Sequence, residues 1–297
     1  MKTYLDFQIW DYITKDREIE EYFKNKEEWD YLISVAHLEE LYKAKRAEKG
    51  DKIGLSDKLK NKMLEMSMDG VIKPTEHGVK FEVKGFEKAY QYIINVDTQD
   101  TIFERSLVKR DLEEEAYEAK DLFEGIKHNK DDEYKLVWET ERVKEELNKL
   151  KNENSQLFIE LSDSNNSFRK DMEKSYGKVV TNYMLQKLIN SSKTEIKPGI
   201  YLSIMNDYHV LEYVMEKLYI KLTKCGFKRD KSDRHANSGT YDIQHSICAT
   251  LCDIFITNDD GFANKFKAIS FYLGIPIKIL TWKKDILPQI HSNKDNV

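Results

Sequence analysis

The sequence predicts an α/β protein in three layers, with a central, mostly parallel sheet built from both ends of the chain and a large helical insertion between them. Three observations predict it. The chain opens on a short apolar segment, YLDF, that runs through an acid into a helix. Near the other end a helix (242–251), a strand (254–257), a helix (261–273) and a strand (277–280) follow in quick order, and strand–helix–strand units of this length pair in parallel. Between the ends the chain is dense in charge: 34% of its 297 residues are Asp, Glu, Lys or Arg, with only 12 Gly and 4 Pro, a composition of long helices and few tight turns.

Taken in order, the first strand turns near Asp6 into a helix, and residues 15–30 read as helical. In YLISVAHLEELYKAKR, Ser34 is a candidate N-cap, and Val35, Leu38 and Leu41 follow at helical spacing, with basic residues at the helix end. Residues 56–67 predict a polar helix. Residues 70–83, broken by Gly, Pro and His, predict a loop with a short strand at VKFEV, and 86–94 a helix.

The middle is different. Residues 102–126 and 133–161 are long, charged and free of Pro. In the second, Leu136, Thr140, Val143, Leu147, Leu150, Asn154, Leu157 and Leu161 alternate spacings of four and three, a heptad seam. Val108, Leu112, Ala116, Ala119 and Phe123 make a second apolar stripe. An intramolecular hairpin is the first reading, and self-association or a partner protein on this seam the second. Helix resumes over 171–190, then comes the loop SSKTEIKPG, a helix in MNDYHVLEYVMEKLYIKL, and a basic loop, CGFKRDKSDRHANSGT. Residues 1–100 and 201–297 are thus expected to form one α/β domain, with 101–200 inserted.

Composition narrows the class. A net charge of −5 excludes a generally basic nucleic-acid binder and leaves room for a local basic surface. The three cysteines, Cys225, Cys248 and Cys252, suit a reducing compartment better than a disulfide framework and form no zinc motif. No segment has the charge and apolar run of a signal peptide, and none approaches the roughly 18 apolar residues of a membrane span, so a cytoplasmic protein without a membrane role is expected. No GxxxxGK[ST] loop is present, which disfavours nucleotide hydrolysis by that route.

In parallel sheets, ligands bind at the carboxyl ends of the strands. Asp6 closes the first strand, and Asp259 and Asp260 stand just past DIFIT, on the same rim. Asp242 opens the preceding helix, and Glu40 lies in the helix after Ser34. Carboxylates gathered on one rim repel one another, and a divalent cation is the usual compensation. Oxygen ligands without a His/Cys set favour Mg²⁺ or Mn²⁺ over zinc. The alternative reading is a scatter of solvated loop acids and helix caps, with Asp242 as a simple cap.

These segments resemble the PIN domain, a nuclease fold. YLDFQIWDYI resembles its opening strand closed by an aspartate. ISVAHLEEL resembles the block in which a Ser is followed by a glutamate, here Glu40. YDIQHSICATLCDIFITNDDGF resembles the last block, an aspartate opening a helix, an apolar strand, then T-x-D-x-x-F, giving Thr257, Asp259 and Phe262. The blocks stand in the family's order and cover roughly the first 45 and last 60 residues. The resemblance implies a metal-dependent endonuclease, more often of RNA than DNA. Asp6, Glu40, Asp242 and Asp259 would hold one or two Mg²⁺ or Mn²⁺ ions. Gln8 stands where the family often has Asn or Ser.

Around this set, His245 and His37 each lie one turn from a candidate ligand and read either as phosphate contacts or as hydrogen-bonded wall residues. Lys228, Arg229, Lys231, Arg234 and His235 make a basic stretch leading to Asp242, suited to a polyanion or simply solvated. Asp260 is a neighbour of the expected ligand Asp259, and Asp253, at the far end of its strand, reads as structural. A PIN-like scaffold without activity, binding a partner or itself through the insertion, is the competing reading.

Overall fold

A computed structural model of the chain describes residues 1–50, 53–95, 131–163, 166–228 and 233–292, with side chains from 134 and from 241 onward in the third and last of these ranges. Six strands form one sheet: β1 (Lys2–Leu5), β2 (Asp30–Ser34), β3 (Ser67–Thr75), β4 (Gly78–Val83), β5 (Ile254–Thr257) and β6 (Lys278–Thr281), in the order β4-β3-β2-β1-β5-β6. Every neighbouring pair is parallel except the β3–β4 hairpin. The sheet therefore grows outward from β1 in one direction through β2 and β3, then in the other through β5 and β6. Strands from both ends of the sequence meet at its centre, where Tyr4 lies opposite both Leu32 and Phe255.

Side chains alternate across the sheet, as a strand period of two requires. On one face Tyr4, Leu32, Ile72, Phe255 and Ile279 are buried in a common core. On the other, Leu5, Tyr31, Ile33, Val71, Ile254 and Ile256 form a second core. Strands buried on both faces read as unbroken apolar runs rather than alternating ones, which accounts for DIFIT. The helices α1 (Phe7–Lys15), α2 (Arg17–Lys24), α3 (Val35–Ala47), α4 (Leu55–Met66) and α5 (Phe86–Asn95) cover the second face, through residues such as Trp10, Phe23, Leu41, Met63 and Phe86. A π-helical turn, Trp282–Ile286, and α14 (Leu287–Ser292) join them.

The first face carries the helices from the rest of the chain. These are α6 (Asp131–Glu139), α7 (Glu141–Ser162), α8 (Ser167–Tyr176), α9 (Lys178–Ser192), the short α10 (Tyr201–Ile204), α11 (Tyr208–Lys224), α12 (Asp233–Ala249) and α13 (Asp260–Leu273). Crossovers in parallel sheets are right-handed, so reversing the direction of strand addition at β1 moves the connecting helices to the opposite face. That is why α13, between β5 and β6, lies across the sheet from α1 and α3. Gly274, in the left-handed conformation with φ of 76°, ends α13.

Three expectations are corrected. Residues 70–83 are not a loop with one short strand but lie in the β3–β4 hairpin, in which Pro74 is tolerated because β3 ends on a turn to an edge strand, with Gly78 at φ 87° closing it. The segment 15–30 ends in β2, whose apolar YLI was masked by its charged surroundings. The long helix expected over 133–161 is broken at Thr140, whose hydroxyl turns back to the Val137 carbonyl at 2.8 Å.

The heptad seam is spent inside the chain. Val143, Leu150, Asn154 and Leu161 are buried, and α7 packs on α9 and α11. Asn154 Oδ1 accepts a 2.6 Å hydrogen bond from Tyr213 of α11. Val137, Trp138 and Val143 belong to the same core as Tyr4 and Phe255, so the middle segment is continuous with the sheet's own packing. The expected helix over 102–126, with its stripe from Val108 to Phe123, lies outside the described residues. None of the helices among the described residues is long and apolar enough to cross a membrane.

Candidate active site

The crevice where strand addition reverses, between the carboxyl ends of β1 and β5, is the place where open α/β sheets bind ligands. Asp6 stands at the end of β1 and caps α1: its Oδ1 accepts the Phe7 amide at 2.7 Å. Its Oδ2 accepts the Thr257 hydroxyl from the end of β5 at 2.6 Å. The same hydroxyl oxygen accepts the Asp259 amide at 3.1 Å. Asp259 in turn caps α13, taking the Phe262 amide at 2.8 Å. One threonine thus ties the two aspartates that end adjacent strands. T-x-D-x-x-F has a physical meaning here: Thr257 bridges, Asp259 caps, and Phe262 packs beneath as part of the core.

Glu40 approaches from α3 and His245 from α12, with Glu40 Oε2 lying 2.7 Å from His245 Nε2. Behind them runs a buried hydrogen-bond chain, and its fixed end sets its directions. The Leu5 carbonyl can only accept, so the His37 Nε2 proton points at it, at 2.6 Å. His37 Nδ1 is then an acceptor, taking the Ser34 amide at 3.0 Å and the Ser34 hydroxyl at 3.2 Å. Ser34 Oγ accepts from Tyr4 at 2.6 Å, and the Tyr4 oxygen accepts from His245 Nδ1 at 2.6 Å. An ionised Glu40 can only accept, so His245 carries both protons and is an imidazolium.

Electrostatics agree with these directions. Burial pulls the His245 pKa down, but the charge and hydrogen bond of Glu40, then Asp6 and Glu39, outweigh it and hold it above the ordinary histidine value. Burial, reinforced by the charge of His245, holds His37 well below that value, so His37 is neutral. Burial raises the Asp6 carboxyl, and Glu40 adds to this, while His245, Thr257 and the Phe7 amide oppose it.

The structure therefore brings together Asp6, Asp259 and Thr257, and sets Glu40 and His245 within electrostatic reach of Asp6. Asp242 is corrected in its setting. It does not open a helix, because α12 begins at Asp233 and runs through ANSGT, so Asp242 sits in its interior, one turn before His245 and beside Tyr219. The basic loop shrinks accordingly: Arg234 and His235 fall in the first turn of α12, Arg229 and Lys231 lie outside the described residues, and the Lys228 carbonyl stands near Gly261 at the start of α13. Gln8 Oε1 is 3.4 Å from Asn258 Nδ2. Asp260 faces Lys284 at 3.8 Å. Asp253 accepts the Lys2 amide at 2.8 Å, a strand-edge contact remote from this rim.

Sequence reasoning missed Tyr4 as a linker between His245 and Ser34, and treated Ser34 only as a cap. A tyrosine on a strand buried on both faces was the available signal, since its hydroxyl must find partners there. It also missed Lys43, whose ammonium lies 4.0 Å from the Tyr241 ring centre, where burial lowers its pKa against the charges of Glu40 and Glu39. The three cysteines are buried and unpaired with one another, and burial pushes Cys225 to about 11 and Cys248 to about 12, values of inert thiols.

The donor chemistry fits a hard divalent cation. Asp6, Asp259 and Glu40 offer carboxylate oxygens, and Asn258 Oδ1, between Thr257 and Asp259, is a buried acceptor without a hydrogen bond among the described residues. No three His, Cys, Asp or Glu side chains among the described residues stand close enough to share one ion. The arrangement offers carboxylates singly or in pairs, which suits Mg²⁺, an ion held by one or two carboxylates with water completing its shell. Compared with protein-family models, curated proteins and solved structures, the chain has no match in any of the three.

Proposed function

We propose that the protein is a PIN-like, metal-dependent nuclease that hydrolyses phosphodiester bonds, RNA ahead of DNA. The observation that carries this reading is the Asp6–Thr257–Asp259 bridge at the point where the sheet reverses its direction of growth. Asp6 and Asp259, with Glu40, would hold Mg²⁺ or Mn²⁺, and Asp242 lies on the helix that supplies His245. A bound ion would supply an activated water and offset charge on the phosphate. The chain's own groups would do the rest. Thr257 fixes the rotamer of Asp6, the α13 amides fix Asp259, and His245 holds Glu40 while presenting a proton beside the anionic site.

The competing reading is a non-catalytic PIN-like scaffold that binds a partner. Glu40 favours it, because His245 already satisfies its charge. Self-association through the seam is disfavoured by the burial of Val143, Leu150 and Leu161 inside the chain. Cleavage of labelled single-stranded RNA and DNA, with Mn²⁺ and with chelator, separates the two. Metal-dependent cutting lost in Asp259→Asn supports the nuclease. Folded protein that cuts neither substrate supports the scaffold.

A further inference from the structure

Beside the carboxylate crevice lies a cavity of about 750 Å³, within the size range of small-molecule sites. The two share walls residue by residue. On α3, Glu39 lines the cavity and Glu40 the crevice, and on α12, Gln244 lines the cavity and His245 the crevice. Val35 at the cavity directly follows Ser34 of the hydrogen-bond chain. The far wall is formed by β3, β4 and α5. Val71 and Ile243 give buried apolar surface, and Tyr92, with 69% of its surface exposed, presents a ring at the rim.

The polar groups are built in. Gln244 and Tyr208 are each only 8% exposed. Gln244 Nε2 donates to Glu212 Oε1 at 2.9 Å, and the Tyr208 hydroxyl lies 2.8 Å from the same oxygen and 3.0 Å from Gln244 Oε1. Glu212 Oε2 is left without a hydrogen bond among the described residues. Lys73 and Glu82, also lining the cavity, pair with each other. What remains around the space is rich in acceptors and net negative, through Glu39, Glu212 and Glu216 against Lys88. A phosphate is repelled from such a space. A planar ring with N–H donors on its edge is not.

We propose that this cavity is the base subsite of the same centre: it receives one unstacked nucleobase of a single-stranded substrate and prefers guanine. This rests on the nuclease reading of the crevice. Guanine is chosen because its N1–H and N2–H₂ form the richest donor edge among the bases, facing Glu212 and its carboxylate neighbours. Tyr92 offers a stacking face, as aromatic residues do in single-strand recognition. A base lodged here leaves its phosphate on the Glu40–His245 side of the shared wall.

Saturation-transfer NMR with guanosine, adenosine, cytidine and uridine, on chelator-treated protein, tests this without any cleavage. Guanosine is expected to bind at least about fivefold more tightly than uridine, the discrimination of one good base-edge contact. The preference is expected to vanish in Glu212→Gln and all nucleoside binding in Ala89→Trp, which fills the cavity from α5, while Asp259→Asn binds guanosine as the parent does. Equal binding of the four nucleosides, binding of none, or binding of putrescine that guanosine cannot displace overturns the proposal. Guanosine binding without phosphodiester cleavage would leave the pocket standing and remove the nuclease. Cleavage with no base preference at the cut site, and none lost in Glu212→Gln, would do the reverse.

Discussion

Thr257 donates a 2.6 Å hydrogen bond to Asp6 across 251 residues of sequence, and the same oxygen receives the amide of Asp259. The two aspartates are thereby held by one side chain at the ends of neighbouring strands. Thr257→Val keeps the shape and removes the hydroxyl. It should cost about 1–3 kcal/mol of stability, the penalty of a buried carboxylate oxygen losing its donor. If the crevice is catalytic, cleavage should fall roughly 10- to 100-fold with the fold intact. Denaturant unfolding and initial cleavage rates read the two effects, and a variant as stable as the parent would show that the bridge contributes nothing.

Asp6→Asn and Asp259→Asn should each abolish metal-dependent cleavage while leaving circular dichroism unchanged, and chelator should do the same to the parent. Asp253→Asn, at the opposite strand end, should cut normally. Parent-like rates in both rim variants would remove these residues from the chemistry.

Tyr4→Phe removes the link between His245 Nδ1 and Ser34 Oγ and leaves both without that partner. A loss of about 1–3 kcal/mol is expected, since the ring and its packing stay. Thermal unfolding of Tyr4→Phe beside the parent measures it. An unchanged melting temperature would mean that the chain of hydrogen bonds is not a stabilising network.

The two histidines should titrate in opposite senses in metal-free protein. His245, raised by Glu40 and Asp6, contributes stability that is fully present below the unfolded value near 6.5 and is lost as pH rises through its higher folded value. His37, held well below 6.5, contributes stability present above that value and lost as pH falls. Imidazole chemical shifts followed from pH 5 to 9 test this. Coincident midpoints near 6.5 would contradict the hydrogen-bond directions assigned above.

The seam of α7 should behave as core. Leu150, with 2% of its surface exposed, should cost about 2–5 kcal/mol on truncation to Ala, with no change in sedimentation. Lys221, its side chain 3% exposed and bonded to Glu153 at 2.8 Å and Glu146 at 3.2 Å, should cost about 3–5 kcal/mol as Lys221→Ala, because two acids lose their cation. A shift in oligomeric state in Leu150→Ala would restore self-association as a role of this helix.

The strands at the two ends of the chain were legible because their apolar runs are short, bounded and buried on both faces. The α/β class followed from them. β2 and the β3 half of the hairpin were not, since DYLIS follows a charged helix and Pro74 with Gly70 reads as a breaker until an edge partner is known. At the site, Asp6, Thr257 and Asp259 could be placed on one rim from strand ends alone. Asp242 was misplaced because the weak helix formers of ANSGT are overridden by tertiary packing. The Tyr4–His245–Glu40 contact was invisible, because it joins three elements whose meeting depends on how α12 lies across the sheet.

The central position of β1 has a consequence for synthesis. Its neighbour β5 leaves the ribosome only after 251 further residues have been joined, roughly 10 to 50 seconds later at ordinary elongation rates. Until then Asp6 has neither Thr257 nor Asp259 beside it. A nascent chain truncated anywhere before β5 carries half of the crevice, so whatever chemistry the centre performs is withheld from the message being translated until the far end of the sheet has been laid down.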